Sequence, residues 1–294
     1  MKVLLDTDIG SDIDDAQCLA FLLHEPSVDL VGITTVTGDT VARARIADAI
    51  CRHAGVEVPI LPGSPDPLMI PQRQPAAPQA AGLKNWEHRT DFPIGGAVEF
   101  LRSTIRENPG EVTLLAIGPL TNIALLFRTD PECVRLLDSV VMMIGRFTFS
   151  DLALPYVEWN SLIDPHAASI VFSESALRLE LYGLDVTRKV VLSKAEAMDR
   201  FAVPSLAVVR DLCEVYFESH HATVFHDPLA AVGLLDRSIC SYQNGVATVE
   251  TTECAVRGLT YWRPDKSGEP RGAHEIAVTV DPDRFFSRFF RHLN

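Results

Sequence analysis

Short apolar runs rich in β-branched residues recur along this chain, and most are followed by a segment with the apolar spacing of a helix. Lys2–Thr7 (KVLLDT), Leu30–Val36 (LVGITTV), Val112–Ile117, Val140–Ile144 and Leu177–Leu181 are predicted strands. Asp14–His24, Thr40–His53, Glu99–Glu107, Leu120–Phe127 and Pro165–Phe172 are predicted helices. Such alternation demands right-handed crossovers. The fold class is therefore α/β: an open mixed, mainly parallel sheet with helices on both faces and a Rossmann-like core. No linker composition splits the chain, so residues 1–294 are expected to form one domain. Two stretches break the pattern. Pro59–Pro78 holds seven of the 19 prolines and predicts an extended loop running on to about Asp91, the kind of segment that serves as a lid or binding loop. After about Cys240 the sequence turns β-rich, predicting a peripheral hairpin and a closing helix near Asp281–Leu293.

Ligands on open parallel sheets bind beyond the carboxyl ends of the strands, which is where chemistry-bearing residues have to be sought. The first predicted strand runs into D-T-D-I-G-S-D-I-D-D-A, placing Asp6, Asp8, Asp12, Asp14 and Asp15 within ten residues. Helix capping accounts for one or two of these acids. Five together repel one another unless a cation or protons compensate them. Gly10 supplies the turn that lets several carboxylates face one point. An all-oxygen donor set with no adjacent Cys or His favours Ca²⁺ or Mg²⁺ over zinc.

Further candidates follow other strands. T-G-D places Asp39 after the second strand, as a helix cap or a site residue. I-G-P-L-T-N leaves the Ile117 carbonyl free at the sheet edge. In V-E-W-N-S-L-I-D-P-H, Glu158 and Asn160 lie two apart, on one side of an extended segment, and suit sugar hydroxyls. Asp164 reads as a helix cap. F-H-D-P sets His226 and Asp227 at the start of another helix, with capping as the ordinary role for the Asp.

Charge narrows the partners. Lys plus Arg number 26 against 39 Asp plus Glu, a formal charge of −13, which argues against a nucleic-acid polymer or an anionic membrane. Cys18, Cys51, Cys133, Cys213, Cys240 and Cys254 are scattered and read as reduced thiols. No apolar run reaches the ~18 residues of a membrane span, and the N-terminus lacks the apolar centre of a secretory signal, so a cytoplasmic location is expected.

Taken together, D-T-D-x-G…D-D-A, T-G-D, G-P-L-T-N, E-W-N…D-P, G-L-D-V-T (Gly183–Thr187) and H-D-P resemble, in their order, the inosine–uridine-preferring nucleoside hydrolase family. The resemblance runs from about Lys2 to Ala231. It implies a nucleoside hydrolase-like fold, a ribonucleoside substrate, Ca²⁺ as cofactor and a homodimer or homotetramer. It implies Asp8, Asp15, the Ile117 carbonyl and Asp227 as metal ligands, with Asp8 also the general base for water. It further implies Asp14 and Asn160 as contacts for ribose hydroxyls, Glu158 for the 5′-hydroxyl, Asp39 among the substrate-binding residues, and His226 as a proton donor to the departing base. The first motif is two residues longer than the commonest family pattern, through Ser11 and Asp12 or their neighbours. An Asn that many members place before E-x-N falls here near Leu152, and L-K-N-W-E-H stands where many carry H-G-x-x-G. Trp86 in that stretch either packs under the Pro-rich segment or stacks on a base. Two other readings fit the acidic start: an Mg²⁺-dependent phosphohydrolase using the N-terminal D-x-D, and a non-catalytic nucleoside-binding protein on the same fold. The first needs a well-placed phosphate-binding Lys, and none stands out. The second has no use for a water-activating base.

Overall fold

The computed structural model describes residues 1–148, 153–174, 176–265 and 274–293. Its eleven strands among the described residues are β1 (Lys2–Thr7), β2 (Asp29–Thr35), β3 (Ile60–Pro62), β4 (Val112–Ala116), β5 (Ser139–Met143), β6 (Leu179–Tyr182), β7 (Val191–Ser193), β8 (Ala222–Val224), β9 (Cys240–Val249), β10 (Thr260–Pro264) and β11 (His274–Val280). Nine build one sheet in the order β10-β9-β11-β6-β5-β4-β1-β2-β3, and β7 and β8 pair separately. From β3 through β6 to β11 every pairing is parallel, while β9 runs antiparallel to both β11 and β10. This is the mixed, mainly parallel α/β sheet that the alternation predicts.

The central strands are apolar on both faces. Val3 and Leu5 enter one core cluster and Leu4 enters the other, as the two-residue period of a strand requires. Likewise Leu115 and Val141 face the first cluster, Leu114 and Val140 the second. Helices cover each face, so these strands are buried throughout.

Three local expectations need correction. The Pro-rich stretch is not wholly extended: it contributes the edge strand β3, and the 3₁₀ segment Pro78–Asn85 follows it. Pro62 ends that edge strand, where a missing N–H breaks no ladder. The C-terminal β-rich region is no peripheral hairpin, because β11 extends the main sheet by pairing in parallel with β6. Glu158 and Asn160 do not lie on an extended segment. Glu158 caps the short helix Trp159–Ile163, and its carboxylate accepts from the backbone N–H groups of Asn160 (2.6 Å) and Ser161 (3.0 Å).

One buried acid ties the sheet to its functional edge. Asp6 Oδ1 accepts from Thr34 Oγ1 of β2 and from Asn122 Nδ2 (2.7 Å), whose helix follows β4. Asn122 also donates to the Thr35 carbonyl and accepts from Ser64 N–H, so G-P-L-T-N ties β1, β2 and the Pro-rich loop together. Burial lifts the Asp6 carboxyl to about 7, against lowering by its two donors. Among the described residues, Asp6 Oδ2 has no hydrogen-bond partner.

A proton bound more tightly in the folded state stabilises it fully below the unfolded value near 4, and that stabilisation fades as pH rises to about 7. Asp6→Asn, which mimics the protonated side chain, is therefore expected to be more stable than wild type at pH 8. That advantage should shrink steadily toward pH 4. Urea unfolding of both metal-stripped proteins across this range measures it, and a stability difference that does not change with pH would refute it.

Candidate active site

Beyond the carboxyl ends of β1, β4 and β5 lies a cavity of about 430 Å³. Asp8, Asp12, Asp14 and Asp15 line it from the β1 loop and the first turn of Asp14–His24; Ile117 and Met143 line it from strand ends; Glu158 and Asn160, then His226 and Asp227, complete the wall. Of the predicted site residues, Asp39 alone is absent from the lining. It is exposed and caps the helix Thr40–His53, accepting from Ala42 N–H at 2.9 Å.

Asp14, Asp15 and Asp227 offer carboxylate oxygens that all lie within 4.8 Å of one another, and all three residues are buried. Asp14 Oδ2 accepts from the backbone N–H of Asp227 (3.1 Å), and Asp15 Oδ1 accepts from Thr7 Oγ1. Burial is the main cause that drives the carboxyls of Asp14, Asp15 and Asp227 well above the ordinary range, and mutual repulsion adds to it. Asp8 is raised by burial too, offset by Arg43 and by a hydrogen bond from Gln74. Carboxylates pressed together away from water are the donor set a hard divalent cation stabilises, so these residues fit one. Asp227 does not cap its helix: it stands in the first turn of His226–Leu235 with its carboxylate in the cluster.

The turn between Asp8 and Asp14 has a specific support. Gly10 adopts φ +114°, and a Cβ there would lie 2.7 Å from Ile46 Cδ1. Gly118 lets β4's exit approach Asp8, since a Cβ on it would stand 2.9 Å from the Asp8 nitrogen. Arg43, fully buried, donates from Nη1 to the carbonyls of Asp8 and Ile9 and to Ser11 Oγ, and from Nε to the Thr37 carbonyl. It holds the loop by its backbone while placing a positive charge behind the carboxylates.

Asn160 Nδ2 donates to the carbonyls of Ile117 (2.9 Å) and Met143 (3.0 Å). Its amide is thereby oriented, and Oδ1 is the atom left for a ligand. Ile117 is among the lining residues, and its carbonyl accepts this bond. Glu158 accepts three backbone N–H donors, from Gly145, Asn160 and Ser161, yet burial still raises its carboxyl. His226 Nδ1 bonds Thr187 Oγ1 at 2.7 Å, which makes Thr187 of G-L-D-V-T the residue that sets the ring's orientation. Burial pushes this imidazole down to about 3, helped by Arg188, so the ring is neutral at physiological pH.

Sequence reasoning missed Ser11, Gln74, Arg188, Tyr216 and His220, all in the lining. Tyr216 and His220 stack with ring centroids 4.1 Å apart. Asp12 faces this group, and its burial is offset by His220, Tyr216 and Arg188. The two extra residues of the first motif thus bring an acid to the cavity wall; Asp12 is no helix cap. Trp86 takes the packing role. Its ring meets His53 edge-on at 5.0 Å, its Nε1 donates to Asp211, and it stands outside the lining. Leu152 lies outside the described residues. No helix among the described residues is long and apolar enough to cross a membrane. Cys18, Cys51, Cys133 and Cys213 are buried and free, whereas Cys240 is half-buried and Cys254 exposed.

The chain is similar to known proteins over nearly its whole length. Residues 3–287 match the family described as inosine-uridine preferring nucleoside hydrolase. A "probable uridine nucleosidase 2" of Oryza sativa subsp. japonica is 31% identical over 307 residues, covering 95% of this chain and 89% of the relative. The "non-specific ribonucleoside hydrolase RihC" of Salmonella enteritidis PT4 is 32% identical over 302 residues, covering 97% and 95%. The solved structure "Plant nucleoside hydrolase - PpNRh1 enzyme" superposes with a TM-score of 0.84 at 26% identity, covering 99% of this chain and 98% of that one.

Proposed function

The chain belongs to the inosine–uridine preferring nucleoside hydrolase family, and from that membership we propose that it is a Ca²⁺-dependent ribonucleoside N-glycosidase, releasing free base and ribose. The observation that carries this reading is the cavity in which Asp14, Asp15 and Asp227 converge within 4.8 Å, with Asp8, Glu158 and Asn160 on its walls. A phosphohydrolase reading lacks support, because the first motif's acids crowd together with no lysine in the lining among the described residues.

Asp8, Asp15, Asp227 and the Ile117 carbonyl are the proposed Ca²⁺ ligands, and Asp14 stands close enough to Asp15 and Asp227 to serve the same ion or a ribose hydroxyl. When bound, the ion lowers the pKa of water and gathers vicinal hydroxyls. The remaining steps belong to side chains. Asn160 Oδ1 and Glu158 take ribose hydroxyls and fix the sugar near Asp8. Asp8 accepts the proton of the attacking water, whose oxygen bonds to the anomeric carbon as the C–N bond breaks and its electron pair leaves with the base. Positive charge grows on the ribose ring in this step, and the surrounding carboxylates stabilise it without reorganising.

His226 meets the other end of the breaking bond. If Thr187 donates to Nδ1, the proton of the neutral ring sits on Nε2, ready for the base. An ordinary imidazolium, with a pKa near 6.5, could protonate the base; burial leaves His226 neutral, so its role becomes that of a hydrogen-bond donor to the departing base, not the proton donor that the resemblance implies. A cytoplasmic setting and a homodimer or homotetramer complete the proposal, by analogy with the family alone.

A panel of purine and pyrimidine nucleosides read by reducing-sugar release tests the function directly. Activity should fall to background after exhaustive chelation and return with Ca²⁺, at about one ion per chain. Full activity after chelation would overturn the metal, and phosphate release from p-nitrophenyl phosphate with no ribose from any nucleoside would overturn the reaction. Asp8→Asn should cut kcat by at least ~10²-fold, the low end for loss of a general base. Asp12→Asn should leave kcat within about tenfold, because a wall acid without a proton to move costs less; the reverse ranking would exchange their roles. His226→Ala should slow inosine and uridine hydrolysis by ~10²-fold or more, and p-nitrophenyl riboside far less, since that leaving group needs no proton. Equal losses on both substrate types would remove His226 from leaving-group stabilisation.

A further inference from the structure

Gln74 sits in the middle of the Pro-rich loop, yet its side chain is buried at the floor of the cavity, 66 residues in sequence from the acid it touches. Its Nε2 donates to Asp8 Oδ2 at 2.8 Å and to Ser11 Oγ at 2.5 Å. Its Oε1 accepts from Trp159 Nε1 at 2.5 Å. An indole N–H can only donate, so it admits the amide in one orientation, with oxygen toward Trp159 and both N–H bonds toward Asp8 and Ser11. Every polar atom of the side chain is used. Flipping the amide would set its oxygen against a carboxylate and its N–H₂ against a donor.

The loop spends backbone strain to put Gln74 there. Thr37 adopts φ +63°, a left-handed conformation unusual for a β-branched residue, and Gly38 follows at φ +62°. A Cβ on Gly38 would lie 2.1 Å from the Gln74 carbonyl oxygen, so only glycine admits the loop. Gly38 N–H donates to the Pro65 carbonyl, Asp39 N–H to Pro75, and Gln72 Nε2 to Thr37 Oγ1. Arg43 reaches the Ala76 carbonyl from the other side. The loop on both sides of Gln74 is therefore pinned to the end of β2.

We propose that Gln74 is a positioning residue for Asp8, and that Trp159 acts through it by fixing the direction of its amide. The proposal rests on the hydrolase reading above, in which Asp8 takes the proton of water. A charge-assisted bond from a fixed donor holds one carboxylate oxygen and leaves the other for the reacting water. Trp159 lies between Glu158 and Asn160, so one tripeptide orients the ribose contacts and, through Gln74, the base.

The test measures kcat and KM for inosine, uridine and p-nitrophenyl riboside at saturating Ca²⁺, in wild type, Gln74→Leu, Trp159→Phe and the double variant, with melting temperatures alongside. Gln74→Glu, nearly isosteric and still an acceptor for Trp159, replaces Gln74→Leu if the latter does not fold. The expected result is a kcat lower by roughly 10- to 100-fold in Gln74→Leu with KM within about threefold, the scale of one lost bond to a charged group. The factor should be the same for all three substrates, because Asp8 acts on water and not on the leaving group. Trp159→Phe should lower kcat less, and should cost little more once Gln74 is gone. A rise in KM with kcat unchanged, a loss that differs between leaving groups, or full additivity of the two substitutions would overturn the proposal while leaving the hydrolase reading intact. A wild-type protein that releases no ribose from any of the three overturns the reading and this inference with it.

Discussion

Burying carboxylates at the carboxyl end of β1 is the constraint that organises this molecule. Asp8, Asp12, Asp14, Asp15 and Asp227 converge on one cavity, and burial is the largest cause of every one of their upward shifts. Isolated charges in such a place cost several kcal/mol each, so the surrounding structure has to compensate. It does so in three ways. Arg43 sets a buried guanidinium behind Asp8 and Asp15. The helices Asp14–His24 and His226–Leu235 both begin at the site, so Asp14, Asp15 and Asp227 stand in first turns, where the helix dipole favours negative charge. Thr7, Gln74 and the Asp227 N–H give the carboxylates fixed donors. None of these neutralises the cluster, and a divalent cation is the compensation that such a donor set lacks.

The sheet explains why these groups meet. Parallel strands bring their carboxyl ends to one edge, and each crossover returns the chain to the opposite edge. The end of β1 gives the acids, the end of β4 gives the Ile117 carbonyl, and the end of β5 leads to Gly145, whose N–H holds Glu158. Asp6 and Asn122 lock β1 to β2 and β4 just below the site, so the relative height of these ends is set by side-chain bonds as well as by the ladder. Segments that arrive later, Pro155–Asn160 and the Tyr216–His220 turn, supply more of the lining.

Much of this was legible because it is local. Strand and helix periodicity located the central strands to within a few residues, and the density of Asp in one turn marked the site without any partner being known. What stayed hidden depends on contacts far along the chain. Gln74 is one polar residue among prolines, and its role needs Asp8, Ser11 and Trp159 to converge. The Pro-rich loop was the visible signal, but the residue within it was not. Arg43 also left a trace, a charged residue on an otherwise Ala- and Ile-rich helix face. Asp39, read as a possible substrate contact, caps that same helix and so positions Arg43. Glu158 and Asn160 reach the cavity for a reason that two-residue alternation misstates. At a helix start, the capping carboxylate and the first-turn amide both point off the N-terminal end.

The cavity is electrically lopsided, and that asymmetry bears on the chemistry. Carboxylates gather around Asp8 and Asp15, where the sugar is proposed to lie, while His226, Arg188, Tyr216 and His220 supply donors elsewhere in the lining. Cleaving an N-glycosidic bond separates charge in the same sense, positive on the ribose and negative on the base. With the sugar placed among the acids and the base among the donors, as proposed, the site would stabilise the transition state more than the neutral substrate, which is the condition for accelerating a reaction and not merely binding its reactant. Asp12 complicates the simple division, because it brings an acid to the same wall, where Tyr216, His220 and Arg188 partly offset the effect of its burial.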